Sequence, residues 1–233
     1  PLRDSAGISP DFAEHRASAR VGWTAQPYHS VPKLAPPMDA QPDHEPGTFP
    51  LEDDPIPDGL RNADSLVLLN TGNGKGKSSA AFGVMVRGIA RGWNVAVVQF
   101  IKGSDWKVGE EKIGRQLGVE WHSLGGGFTW DSADQSHDIA LAREAWATAA
   151  AIIAAGEHQL VILDELTYLC AWGWVPTAEI VAAIADRPRH VNIVVTGREA
   201  PPELIEIADT VTEMREIKHA FQQGINAKRG IDY

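Results

Sequence analysis

The sequence predicts an α/β fold: a mainly parallel sheet with helices on both faces. Two observations carry this. From Ser65 onward, short apolar runs alternate with amphipathic stretches, and repeated strand–helix units of this kind bury a parallel sheet between two helical layers. A glycine-rich turn, Thr71-Gly-Asn-Gly-Lys-Gly-Lys-Ser-Ser79, joins the first apolar run, Ser65–Asn70, to an alanine-rich stretch.

The first run, Ser-Leu-Val-Leu-Leu-Asn, reads as a buried strand. Asn94–Phe100 (NVAVVQF), Leu160–Leu163 (LVIL) and His190–Val195 (HVNIVV) read the same way, and Thr210–Met214 as a last edge strand. Helices are expected at Ser78–Arg91, Gly109–Leu117, Ser136–Ala155, Thr177–Ile184 and Pro202–Ala208. Within the longest of these, Ile139, Ala142, Trp146, Ala149 and Ile153 recur at helical spacing, which assigns Trp146 to the core rather than to a ligand. In such a sheet, ligands collect at the carboxyl ends of the strands.

The glycine turn is the strongest chemical signal. Glycines let successive backbone N–H groups curl toward one point, forming a nest for anionic oxygens. The helix that follows adds the partial positive charge of its N-terminus. Gly72, Asn73, Gly74, Lys75, Gly76, Lys77, Ser78 and Ser79 therefore read as a phosphate-binding loop, with Lys77 reaching the phosphates and the Ser78 hydroxyl on a magnesium ion. Gly72 and Gly76 enclose three residues where the usual motif has four, and Thr71 stands where that motif has its first glycine. The expected ligand is a nucleoside triphosphate.

Leu160-Val-Ile-Leu-Asp-Glu165 looks like the second half of this site. Two acids at the end of a buried strand need a cation or hydrogen bonds to compensate them, and a magnesium ion beside the phosphates is one such cation. The residues alone leave Asp164 and Glu165 as alternatives. Arg198, at the carboxyl end of His190–Val195, and Arg87, on the helix after the loop, are candidate nucleotide contacts.

Composition limits the other readings. The chain has 233 residues and a net charge of −10, which disfavours a non-specific nucleic-acid binder. No apolar run is long enough to span a bilayer, and no signal-peptide pattern stands at the start. The lone Cys170 excludes an internal disulfide and any cysteine-cluster metal site, so a cytoplasmic location is expected. Eleven of the fifteen prolines lie between Pro1 and Pro57. Residues 1–62 thus read as a proline-rich, acidic, extended arm with at most a short helix around Asp11–Arg20, and residues 63–233 as the folded domain.

Nucleotide hydrolysis alone leaves Leu124-Gly-Gly-Gly-Phe-Thr-Trp-Asp131 unexplained. Phe128 and Trp130 offer large apolar faces from a glycine-rich loop, which calls for a partner surface. Phe100-Ile-Lys-Gly103, Trp106–Glu111 and Trp172-Gly-Trp174 add aromatic and charged material beyond strand ends. Together they point to a wide, flat, apolar ligand beside the triphosphate.

At these blocks the chain resembles the ATP:corrinoid adenosyltransferases. The likeness covers about residues 65–233 and rests on TGNGKGKSSAAFG (71–83), VVQFIKG (97–103), GFTW (127–130), LDELTY (163–168), TGR (196–198) and KHAFQQGINAKRGIDY (218–233). The resemblance implies a RecA-like phosphate-loop NTPase fold whose ATP lies reversed along the loop. A corrinoid reduced to Co(I) would attack the 5′ carbon, and triphosphate would leave as one group. It further implies that Phe128 and Trp130 press on the lower face of the corrin. Glu165 becomes the magnesium carboxylate and Asn73 a nucleotide contact. It also implies a homodimer and a flavoprotein-type electron donor. Residues 1–62 do not resemble the charged helical segment with which family members usually begin. The rival readings are a kinase or ATPase acting on the γ-phosphate, and a non-catalytic carrier of the finished cofactor.

Overall fold

The computed structural model describes residues 59–103, 109–125 and 135–232. Most of the expected arm, including the Asp11–Arg20 helix, lies outside them, and residues 59–66 carry no helix or strand. The described elements run β1 (Val67–Thr71), α1 (Lys77–Ala90), β2 (Val95–Gly103), α2 (Gly109–Gln116), β3 (Glu120–Gly125) and α3 (Gln135–Ala155). They continue through β4 (Leu160–Asp164), α4 (Thr167–Ala171), α5 (Thr177–Ala185), β5 (Asn192–Thr196), α6 (Pro202–Ile207) and β6 (Thr210–Glu213), with a 3₁₀ turn at Ala220–Gln223.

The strands form one six-stranded sheet in the order β3-β2-β4-β5-β1-β6. Every described pair is parallel, so all six carboxyl ends open on one edge. This is the α/β fold the sequence predicts.

Side-chain alternation along the strands sorts the core into two layers. In β4, Val161 and Leu163 join the layer under α3 and α5, with Trp146, Ala149, Ile153, Ile180 and Ile184. Leu160 and Ile162 face the other way, against Ala81, Phe82 and Met85 of α1 and Trp121 of β3. Every residue of β4 is buried, as a central strand covered on both faces requires. Trp146 is 2% exposed, in the core position its spacing predicts.

Three expectations are corrected. Strand β3 was not foreseen, and Leu124 and Gly125 belong to it rather than to a loop. Its sequence, Glu-Trp-His-Ser-Leu-Gly, contains no apolar run because β3 is an edge strand. Trp121 is buried while Glu120 stays exposed. Second, β2 runs on to Gly103. Ile101, read as material beyond the strand, is 8% exposed and joins Phe100, at 2%, in the core. Third, a short helix, α4, follows β4 directly. It carries Trp172 and Trp174 inward, so that Trp174 is a core residue and Trp172 meets it in a tilted contact, ring centroids 4.7 Å apart.

Candidate functional site

Strand β1 delivers Thr71 to the carboxyl edge, and the chain turns at Gly72 with φ of 91°. The loop is packed from below by the backbone that follows β6. A Cβ on Gly72 would lie 2.5 Å from the Met214 carbonyl oxygen, and one on Gly74 would lie 2.8 Å from the Arg215 backbone. Only glycine fits at either place. Gly76, in the left-handed region, is the N-cap of α1, and Lys77 opens the helix.

The Lys77 side chain folds back into the loop. Its Nζ donates to the carbonyls of Gly72 at 2.8 Å and Gly74 at 2.7 Å. At 8% exposure it is a buried cation. Burial is the main cause that pushes its pKa below the ordinary lysine value, and the Arg198 guanidinium pushes the same way, while Glu165 and Asp164 oppose the shift. The charges of Arg198, Glu165 and Asp164, from motifs at the ends of β4 and β5, are therefore near enough to act on Lys77. A partly disfavoured cation beside a second cation is a receptor for anionic oxygens.

The two acids have different surroundings. Asp164 is fully buried. Its Oδ1 accepts from the Thr196 hydroxyl at 2.7 Å and its Oδ2 from the Gln99 amide at 2.9 Å. Gln99 in turn accepts from Trp121 Nε1 at 3.0 Å and from the Ser123 hydroxyl at 3.4 Å. A polar line thus crosses β5, β4, β2 and β3 through the sheet interior. Glu165 lies just past the strand at φ of 64°, an uncommon conformation for a non-glycine residue, with its N–H on Thr196 Oγ1 at 3.0 Å. Such a conformation costs of the order of 1–3 kcal/mol and concentrates at functional sites. Tyr168 lies close by, its hydroxyl pKa raised by burial and by the Glu165 charge.

Not every candidate joins this centre. Arg87 is exposed on the last turn of α1, about 15 Å along the axis from Lys77, where it complements the helix C-terminus. Phe128 and Trp130 lie outside the described residues. The segment holding them leaves β3 at Gly125, on the same edge as the loop. Gln99, Thr196 and Tyr168 were not singled out from the sequence. A glutamine inside Val97-Val-Gln-Phe100 was the available signal, since a polar group in a buried strand must have a partner.

A glycine loop closed around the lysine that begins the next helix, facing a carboxylate-tipped strand across a parallel sheet, defines a phosphate-loop nucleotide-binding protein. Comparison with known sequences narrows the class. Residues 63–233 match the model of the family described as ATP:corrinoid adenosyltransferase BtuR/CobO/CobP, and this chain belongs to that family. It is 44% identical over 168 residues to the corrinoid adenosyltransferase of Escherichia coli (strain K12), covering 72% of this chain and 85% of that one. The corresponding enzyme of Pseudomonas aeruginosa is 45% identical over 175 residues, 74% of this chain and 86% of its own. The corrinoid adenosyltransferase CobA of Salmonella typhimurium is 41% identical over 168 residues, 72% and 85% respectively. Membership makes the chain a transferase, with ATP and a corrinoid as its substrates. Among the described residues, no helix is long and apolar enough to cross a membrane.

Proposed function

We propose that this chain transfers the 5′-deoxyadenosyl group of ATP to the Co(I) centre of a reduced corrinoid, in adenosylcobalamin biosynthesis or salvage. Cobalt supplies the electron pair for the new Co–C bond, and the C–O bond to the triphosphate takes its pair away with the leaving group. The observation that carries this reading is the glycine loop closed around the buried Lys77, whose charge Arg198, Glu165 and Asp164 influence. Negative charge grows on triphosphate as it departs, and a fixed lysine, an arginine and backbone amides stabilise that charge. No side chain is required as nucleophile, so the protein contributes alignment and exclusion of water.

Within this proposal Gly72–Ser79 and Arg198 hold the polyphosphate, with Asn73 touching the nucleotide. Phe128 and Trp130 press on the corrin. Arg87, farther along α1, would reach only a part of the nucleotide remote from Lys77. The donor set suits Mg²⁺, a hard cation that prefers oxygen ligands and keeps several waters. Glu165 and the Ser78 hydroxyl would hold it, and Asp164, tied down by Thr196 and Gln99, would act by orienting the turn that carries Glu165. The ion supplies further charge neutralisation for the phosphates. The proposal includes a homodimer, a flavoprotein-type electron donor, a cytoplasmic location, and a division into an arm (1–62) and a catalytic domain (63–233).

The test is anaerobic incubation of the purified protein with ATP, Mg²⁺ and chemically reduced cobalamin. Triphosphate and a light-sensitive Co–C product are expected in equal amounts. ADP and phosphate instead would refute the proposal in favour of γ-phosphate chemistry.

A further inference from the structure

The stretch after β6 returns twice to the glycine loop. At its start, Met214 N–H donates to Thr71 O at 2.8 Å, and Met214 O accepts from Gly74 N–H at 2.6 Å. The backbone of Met214 and Arg215 fills the space where side chains on Gly72 and Gly74 would lie. At its far end, the Asp232 carboxylate pairs with the Lys75 ammonium. Asp232 is itself set by a turn: Ile231 N–H and Asp232 N–H donate to Lys228 O at 3.0 and 2.8 Å, and Asp232 Oδ2 accepts from Lys228 N–H at 2.8 Å. The neighbouring Ile231 lines an apolar cleft of about 480 Å³ with Phe82, Met85 and Val86 of α1.

The loop's two lysines therefore do different things. Lys77 is turned inward among the loop carbonyls. Lys75 is turned outward, its charge matched by a carboxylate on a preformed turn. We infer that Asp232 is a positioning residue for the phosphate loop. Acting through Lys75, it clamps the loop against the segment after β6 in the shape that receives the polyphosphate. On this view Lys75 is an anchor rather than a phosphate ligand, which changes the role first assigned to it. The inference rests on the proposal that the loop binds ATP.

A charge pair as exposed as this one is worth a few-fold at most, and the test is scaled to that. ATP dissociation constants and the KM values for ATP and reduced cobalamin are measured for Asp232→Asn, Lys75→Gln, the double variant and the swapped pair Lys75→Asp/Asp232→Lys. Each single variant is expected to weaken ATP about threefold and leave the corrinoid KM unchanged. The double variant should be no worse than either single one, and the swapped pair should recover most of the loss. A structural defect alone would not separate the two KM values or respond to the swap. The inference is overturned if Asp232→Asn binds ATP as well as, or more tightly than, the parent, or if the two single losses add in the double variant. Lys77→Ala serves as the control for the underlying reading. If the parent binds ATP no better than Lys77→Ala, the loop is not an ATP site. If Lys77→Ala alone loses ATP, only the role of Asp232 fails.

Discussion

Replacing Gln99 by leucine tests whether the polar line through the sheet acts as one unit. Gln99 is 1% exposed, with Asp164 at 0% and Trp121 at 3%. Leucine keeps much of the volume but removes the amide that serves both neighbours. Asp164 Oδ2 loses a 2.9 Å donor and Trp121 Nε1 a 3.0 Å acceptor. A buried polar group that loses its partner costs about 1–3 kcal/mol. Two such groups give about 4 kcal/mol, less about 1 kcal/mol for the added apolar burial. In a domain of this size each kcal/mol lowers Tm by about 2–4 °C. A drop of about 6–12 °C is therefore expected, read by circular dichroism or calorimetry. Trp121→Phe removes only the indole donor and leaves Gln99 its bonds to Asp164 and Ser123, so its loss should be well under half as large. A Gln99→Leu protein that melts at or above the parent temperature would show that the line contributes nothing to stability.

Two other outcomes follow from the site and a third from the start of β3. Lys77→Ala should abolish ATP binding in calorimetric titration, whereas Phe128→Ala or Trp130→Ala should leave ATP affinity nearly unchanged and slow adenosylation; fully active aromatic variants would refute the proposed corrin contact. Glu165→Gly relieves the positive φ of 64° and should hold or raise Tm while activity with Mg²⁺ and ATP collapses, and Glu165→Gln should lose activity without that gain; equal melting of both variants would deny the strain. The hydrogen bond to His122, and a second one to His158, hold the Glu120 carboxyl below its ordinary pKa. A depressed carboxylate stabilises the fold above its unfolded pKa and stops doing so as pH falls through the folded value. Glu120→Gln should thus melt earlier than the parent near neutrality, with the gap closing in acid; a gap that widens in acid reverses the argument.

The parts of the molecule legible in the sequence were those set by local pattern. Buried strands of β-branched residues, the glycine turn and the helical spacing of apolar residues in α3 each announce themselves within one window. The carboxylate pair after β4 was visible for the same reason, as charge ending an apolar run. Three features depended on neighbours in space. The burial of Trp121 makes β3 a strand, and that burial comes from α1 and α2, not from β3 itself. Residues 172–174 looked like a ligand platform because the turn through α4, which folds Trp174 into the core, has no distinct apolar period. Asp164 and Glu165 looked equivalent, although Thr196 and Gln99, from two other strands, saturate one and the Thr196 hydroxyl sets the backbone of the other. Arg87 was placed correctly on α1 by its position in the sequence; its distance of about 15 Å along the axis from Lys77 was set by the 1.5 Å rise per residue.

The pairing of Gln99 with Asp164 across β2 and β4 also guards against misassembly. Apolar strands of similar composition can dock at several offsets, since one valine substitutes for another. Here, sliding β2 by a single step would turn the glutamine to the opposite surface and set Val98 or Phe100 where the carboxylate had its Gln99 donor. The buried Asp164 carboxylate thereby makes such a misalignment of β2 and β4 expensive.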